Sequence, residues 1–178
     1  MKIEILEKTK GCMPEVFKVG DWCDLFTAED VTLKSPEAHK LHTWGKVKGN
    51  GGIKIRDVDF DSTLIPLGVC MKLPKGYEAY LLPRSSSFSK WGIIQTNSVG
   101  IIDNLYCGEN DEWKLAVLAT RRVTIPKGTR IAQFRIQLSQ KASMWQKLKW
   151  LFSKPAQIVK VKSLESGSRG GFGSTGNN

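Results

Sequence analysis

An arginine followed by three serines, Pro83-Arg84-Ser85-Ser86-Ser87, closes an apolar run. A guanidinium fork beside hydroxyl groups is a donor set suited to phosphate oxygens. Serine-rich turns after strands are also common, so the segment alone leaves both readings open. Further along, Asn97-Ser98-Val99-Gly100-Ile101-Ile102-Asp103-Asn104-Leu105-Tyr106-Cys107-Gly108 leads an apolar run into a carboxylate and then a phenol ring. A carboxylate in a partly apolar pocket can act as general base toward water; a solvated turn Asp would do no chemistry. Gly128-Thr129-Arg130-Ile131-Ala132-Gln133 and Asp21-Trp22-Cys23-Asp24-Leu25-Phe26 each pass, alone, as a turn entering a strand. The stretch 163–178 combines Arg169, Phe172, several hydroxyls and many glycines. Glycine lets backbone N–H groups approach a ligand closely, which suits a phosphate clasp. The same composition also describes a flexible tail.

The elements that must position these groups are mostly strands. Short β-type runs at 2–6, 31–33, 53–58, 67–73, 78–82, 115–119 and 131–137 are separated by turns such as Pro74-Lys75-Gly76 and Pro126-Lys127-Gly128. Many short strands with almost no helical periodicity predict an all-β sandwich or barrel. One segment differs. In 142–152, Met144, Trp145, Leu148, Leu151 and Phe152 share one helical face, and Pro155 stops the helix. The expected arrangement is a short helix packed by that face on its own sandwich. Six lysines and no acid lie between Lys141 and Lys162, so a membrane or an acidic partner is the other reading.

Composition narrows the setting. A net charge of +10 points to an anionic partner without choosing among nucleic acid, membrane and nucleotide. Aromatic residues are not interleaved with the basic ones as on a single-strand binding platform. Cys12, Cys23, Cys70 and Cys107 lack C-x-x-C spacing and read as reduced thiols, and His39 and His42 read as loop residues rather than zinc ligands. With no signal-peptide pattern at the N-terminus, a cytoplasmic location is expected.

Taken in order, these segments resemble the five motifs of the trimeric dUTPase family, over 24–176. Gly-Ile-Ile-Asp-x-x-Tyr-x-Gly and Gly-Gly-Phe-Gly-Ser-Thr-Gly are the specific pieces; Pro-Arg-Ser-Ser and Arg-Ile-Ala-Gln support them. The resemblance implies a distorted jelly-roll β-sandwich of the β-clip type, forming a homotrimer with a swapped, flexible C-terminal arm. It divides the chain into a β domain at 1–163, with the 142–152 helical insert, and an arm at 164–178. The implied reaction is hydrolysis of dUTP to dUMP and pyrophosphate, which limits uracil in DNA and supplies dUMP for thymidylate synthesis. Neither nucleic acid nor a membrane is required for it.

The family's roles then fall on particular residues. Asp103 matches the carboxylate that activates the attacking water, and Tyr106 the ring beneath the deoxyribose. Asn97 matches the uracil-reading amide, and the backbone of Gly100, Ile101 and Ile102 completes the base pocket. Arg84, Ser85, Ser86 and Gln133 match triphosphate contacts. Asp24 matches a carboxylate near Mg²⁺, acting through water. Phe172 matches the aromatic that stacks on uracil, with Gly173 and Ser174 closing over the phosphates. In the family, each site combines three subunits.

The chain also departs from the pattern. Asp21-Trp22-Cys23-Asp24-Leu25 replaces a small Ala-Gly pair, and Gly167 stands where the arm's arginine is usual, so Arg169 is assigned to the γ-phosphate instead. Asn110-Asp111-Glu112-Trp113 lengthens the turn after the third motif, and the loop at 44–52 is an addition. Two other functions remain to be weighed. One is dCTP deamination within the same superfamily, which needs a glutamate beside the cytosine. The other is a dUTPase-derived regulatory module whose basic insert binds an unidentified partner.

Overall fold

Alternating residues become strands where one face has a core to cover. In the computed structural model, which describes residues 2–16, 21–44, 53–152 and 156–171, inward residues alternate along three long strands. Tyr77, Ala79 and Leu81 point inward from Tyr77–Pro83, and Leu115, Val117 and Ala119 from Lys114–Ala119. Ala132, Phe134 and Ile136 do so from Arg130–Leu138, whose start is shifted by a bulge. Their partners in the core include Ile3, Ile5, Leu25, Ile65 and Met71. Trp113 meets Phe134 edge-on, with ring centroids 5.3 Å apart.

The largest sheet runs in the order Gly100–Asp103, Tyr77–Pro83, Arg130–Leu138, Cys23–Phe26, Glu15–Val16. Two three-stranded sheets accompany it. Val69–Lys72, Lys2–Glu7 and Gln157–Val161 form one, with Lys2–Glu7 in the centre, antiparallel to Val69–Lys72 and parallel to Gln157–Val161. Ile93–Gln95, Lys114–Ala119 and Ser62–Pro66 form the other. With two short helices among the described residues, Ser87–Trp91 and Met144–Leu151, the chain has the expected all-β architecture. The expected 53–58 strand is split into Ile53–Ile55 and Val58–Asp59, which pair back onto His42–Trp44 and Glu37–Ala38. His42 is thus in a strand, and His39 Nε2 donates to the Asp59 carboxylate at 2.7 Å. Among the described residues no group of His, Cys, Asp and Glu could hold a metal, and no helix is long and apolar enough to cross a membrane.

The helix at Met144–Leu151 corrects the expected packing. Trp145 is 81% exposed and Phe152 83%; Met144, Leu148 and Leu151 are exposed as well. The helix docks by its other side. Trp150 packs on Tyr77 with ring centroids 5.5 Å apart, and Gln146 Nε2 donates to the Lys75 carbonyl at 2.6 Å. Gly76, at φ 87°, allows this approach, since a Cβ there would collide with the Gln146 amide. Ser143 and Gln146 form a capping box that fixes the helix start. The tryptophan that holds the helix falls outside the apolar stripe that the periodicity picks out.

Candidate active site

The Gly100–Asp103 strand lies at the edge of the largest sheet, paired antiparallel with Tyr77–Pro83 so that Gly100 faces Leu81 and Asp103 faces Glu78. Gly100 leaves little room for a side chain, since a Cβ would stand 3.2 Å from Leu81 Cβ and 3.3 Å from its carbonyl oxygen. At the strand's end the chain turns on Asp103 itself. Its Oδ1 accepts the backbone N–H of Leu105 at 2.9 Å and of Tyr106 at 3.2 Å. Its Oδ2 accepts from Arg169 Nη1 at 2.6 Å. Burial pushes the Asp103 carboxyl up, but the Arg169 hydrogen bond and charge and the two N–H groups outweigh it. The group therefore sits below the ordinary carboxylate value and is an anion at neutral pH.

Tyr106 is fixed by its hydroxyl, which donates to the Glu112 carbonyl at 2.9 Å. Burial, with Asp111, Cys70 and Glu112 nearby, pushes its phenol up to about 12, so it stays a neutral donor. Gly171 lies against this ring, where a Cβ would come within 2.9 Å. Gly100, Ile101, Ile102, Asp103, Tyr106 and Arg169 line one cleft of about 370 Å³. The structure thus gathers six of the residues singled out from the sequence.

Sequence reasoning missed the residue that holds the arm there. Asp111 is 1% exposed, and its carboxylate accepts N–H groups from Gly108 at 2.9 Å, Arg169 at 2.9 Å and Gly170 at 3.0 Å. Burial pushes this carboxyl up, but the backbone N–H groups of Arg169, Gly108, Gly170 and Cys107 bring it below the ordinary value. An acid three residues after a glycine in a turn is the available signal, because such a carboxylate collects backbone donors. Its partners are 58 and 59 residues away, which local spacing does not reveal.

The other predicted residues gather elsewhere. Asp24 is 2% exposed, 3.1 Å from Arg84 Nε and 3.9 Å from Arg130 Nη1. Burial pushes the Asp24 carboxyl up, and Arg84 and Arg130 only partly offset this. Gln133 faces Asp24 across the sheet, and its Nε2 donates to the Pro83 carbonyl at 3.2 Å. Arg84 and Ser85 line a second cleft of about 330 Å³. Ser86 stands at the start of the Ser87–Trp91 helix without a side-chain cap bond. Asn97 is exposed in the turn before Gly100 and accepts from Gln95 Nε2 at 2.8 Å. Phe172, Gly173 and Ser174 lie outside the described residues.

The two groups are well separated within one chain. Asp103 is level with Glu78, whereas Arg84 follows six residues further along the same strand direction. At about 3.3 Å per residue this is roughly 20 Å, against the ~3 Å over which a base acts on its proton. Arg169 stands with Asp103, not with Arg84.

A sequence model of the dUTPase family matches residues 55–176. A deoxyuridine 5'-triphosphate nucleotidohydrolase derived from prophage SPbeta of Bacillus subtilis is 38% identical over 176 residues, covering 99% of this chain and 97% of that protein. The Rickettsia akari protein of the same name is 38% identical over 179 residues, covering 99% and 96%. Among solved structures, the dUTPase of Streptococcus mutans superposes with a TM-score of 0.60 at 20% identity, over 80% of this chain and 99% of that one. A phage phi11 dUTPase of S. aureus, described with a structural Mg(II) ion, gives 0.58 at 18% identity, over 80% and 94%. The structural likeness places the fold, and the sequence match over nearly the full length places the chain: it belongs to the dUTPase family.

Proposed function

We propose that the chain hydrolyses dUTP to dUMP and pyrophosphate, with Asp103 as the general base. The observation that carries this is the state of Asp103: a partly exposed anion at a strand end, locked by two backbone N–H groups beside a tyrosine ring. A water held by this carboxylate gives up a proton to it as its oxygen attacks the α-phosphorus. The bond from the α-phosphorus to the bridging oxygen breaks, and pyrophosphate leaves with that electron pair. Tyr106 supports the deoxyribose, leaving no room for a 2′-hydroxyl. Asn97 and the backbone of Gly100, Ile101 and Ile102 read the uracil.

Arg84, Ser85, Ser86 and Gln133 bind the triphosphate. Their separation from Asp103 supports a site shared between copies, in keeping with a family that is generally trimeric. In this reading residues 1–163 form the β domain and 164–178 the arm, with Phe172 stacking on the base and Gly173 and Ser174 over the phosphates. Arg169 serves both as partner of Asp103 and as a cation for the incoming phosphates.

Enzymes of this family generally use Mg²⁺, which when bound neutralises charge on the triphosphate and its leaving pyrophosphate. Asp24 is committed to Arg84 and Arg130, so its first role is to orient Arg84, with any contact to the metal made through water. A magnesium held chiefly by phosphate oxygens and waters fits this donor set.

Deamination of dCTP is not favoured: no glutamate lines the Asp103 cleft among the described residues. The test is a panel of dUTP, dCTP, dTTP and UTP with Mg²⁺, measuring pyrophosphate and ammonia separately. Pyrophosphate from dUTP far above the others is expected. Ammonia from dCTP, or no turnover of dUTP, would overturn the reading.

A further inference from the structure

Two adjacent side-chain amides in the turn before Gly100 form a one-way chain of hydrogen bonds. Gln95 ends the Ile93–Gln95 strand, which pairs with Lys114–Ala119. Its Nε2 donates to the Leu81 backbone carbonyl at 3.2 Å and to Asn97 Oδ1 at 2.8 Å. A backbone carbonyl only accepts, so it dictates which end of the Gln95 amide faces it. That end has two N–H bonds, and the second is directed at Asn97. The Asn97 amide is thereby fixed too: its oxygen is occupied as an acceptor, and its Nδ2 is the end left for a ligand. The backbone holds Asn97 in register, since Val99 N–H donates to the Asn97 carbonyl and Ser98 adopts φ 55°.

The polarity matters because uracil and cytosine differ there. Uracil carries an accepting carbonyl at position 4, and cytosine a donating amino group. An amide that presents N–H pairs with the first and confronts the second with two donors and no acceptor. We propose that Gln95 is a positioning residue for base specificity, orienting the Asn97 amide so that its N–H rather than its oxygen faces the base. This rests on the reading of Asn97 as the base-reading amide. Gln95 Oε1 is buried without a hydrogen-bond partner among the described residues. The orientation is therefore imposed from the Nε2 side alone.

Gln95→Glu reverses the chain. An ionised carboxylate only accepts hydrogen bonds, so it loses the bond to the Leu81 carbonyl, accepts from Asn97 Nδ2 instead and turns that amide over. Gln95→Leu leaves the Asn97 amide with no partner and free in both orientations. The experiment measures pyrophosphate release from dUTP and dCTP by the full chain with Mg²⁺, comparing wild type, Gln95→Glu, Gln95→Leu and Asn97→Asp. Thermal unfolding and light scattering check that each variant is folded and assembled, and Gln95→Leu carries the test if the glutamate variant does not fold.

The ratio of kcat/KM for dUTP over dCTP is expected to fall about 100-fold in Asn97→Asp, about 10- to 100-fold in Gln95→Glu and about tenfold in Gln95→Leu. Loss of activity on both nucleotides alike, with the ratio kept, would make Gln95 merely structural and overturn the proposal. A wild-type ratio in both Gln95 variants alongside a lowered ratio in Asn97→Asp would overturn the role of Gln95 alone. A wild-type ratio in Asn97→Asp would overturn the assignment of Asn97 as well.

Discussion

Arg169 Nη1 lies 2.6 Å from Asp103 Oδ2, joining the proposed C-terminal arm to the carboxylate proposed as general base in the same chain. The pair is about half exposed, so solvent screens it and its direct contribution to stability is small, about 0–1 kcal/mol. Its effect falls on the protonation of the base instead.

Replacing Arg169 with alanine removes a hydrogen bond and a charge that lower the Asp103 pKa, while the burial that raises it remains. The acidic limb of the kcat/KM profile for dUTP should therefore move to higher pH. A pH–rate profile of Arg169→Ala against wild type measures this directly. An unmoved limb would separate Arg169 from the ionisation of the base.

Asp111 anchors that arm. Its folded pKa is lowered, so its contribution is present above the unfolded value and is lost as pH falls through the folded one. Asp111→Asn should weaken the arm's attachment at neutral pH by roughly 1–3 kcal/mol, the scale of charge-assisted hydrogen bonds. The difference should shrink in acid, where Asp111 itself takes up a proton. Hydrogen exchange at the Arg169 and Gly170 amides reads this, with faster exchange expected in the variant at neutral pH.

The Met144–Leu151 helix supplies a contrast within one element. Trp150→Ala should destabilise the chain by about 1–3 kcal/mol through its lost contact with Tyr77 and the core. Trp145→Ser and Phe152→Ser should leave unfolding within about 0.5 kcal/mol of wild type, since both rings are exposed. Denaturant unfolding of the three variants checks the order.

That contrast marks what the sequence could and could not disclose. The period of Met144, Leu148 and Leu151 reveals a helix with an apolar stripe, because side-chain spacing is local. It does not say which side meets the sandwich. Trp150 does so because Tyr77 and the Gly76 turn happen to lie beneath it. Asp103 and Tyr106 were legible for the local reason, as a motif within one strand and turn. Asp111 was not, because its donors come from the arm. Nor was the distance between Arg84 and Asp103, which depends on the register that sets Leu81 against Gly100.

Asp24 offers a separation of binding from stability. Desolvation raises its folded pKa above the ordinary value despite Arg84 and Arg130, so the ionised carboxylate costs stability that is regained as pH falls. Arg84 retains partial contact with water, with 29% of its side chain exposed, and is not stranded when its partner is neutralised. Asp24→Asn should hold or raise the thermal midpoint at neutral pH. KM for dUTP should rise by about tenfold or more, as the guanidinium loses its orientation. Steady-state kinetics and thermal unfolding of the one variant test both statements.

The most direct test mixes two inactive chains. Asp103→Asn removes the proposed base, and Arg84→Gln removes the proposed phosphate cation, which lies beyond the end of the neighbouring strand of the same chain, roughly 20 Å away. Each variant alone should release pyrophosphate from dUTP orders of magnitude more slowly than wild type. Assembled together in equal amounts, about one quarter of the sites should combine an intact Asp103 from one copy with an intact Arg84 from its neighbour. Activity near that fraction of wild type is the predicted result. No recovery in verified mixed assemblies, or substantial turnover by Asp103→Asn alone, would contradict a shared site that hydrolyses dUTP with Asp103 as its base.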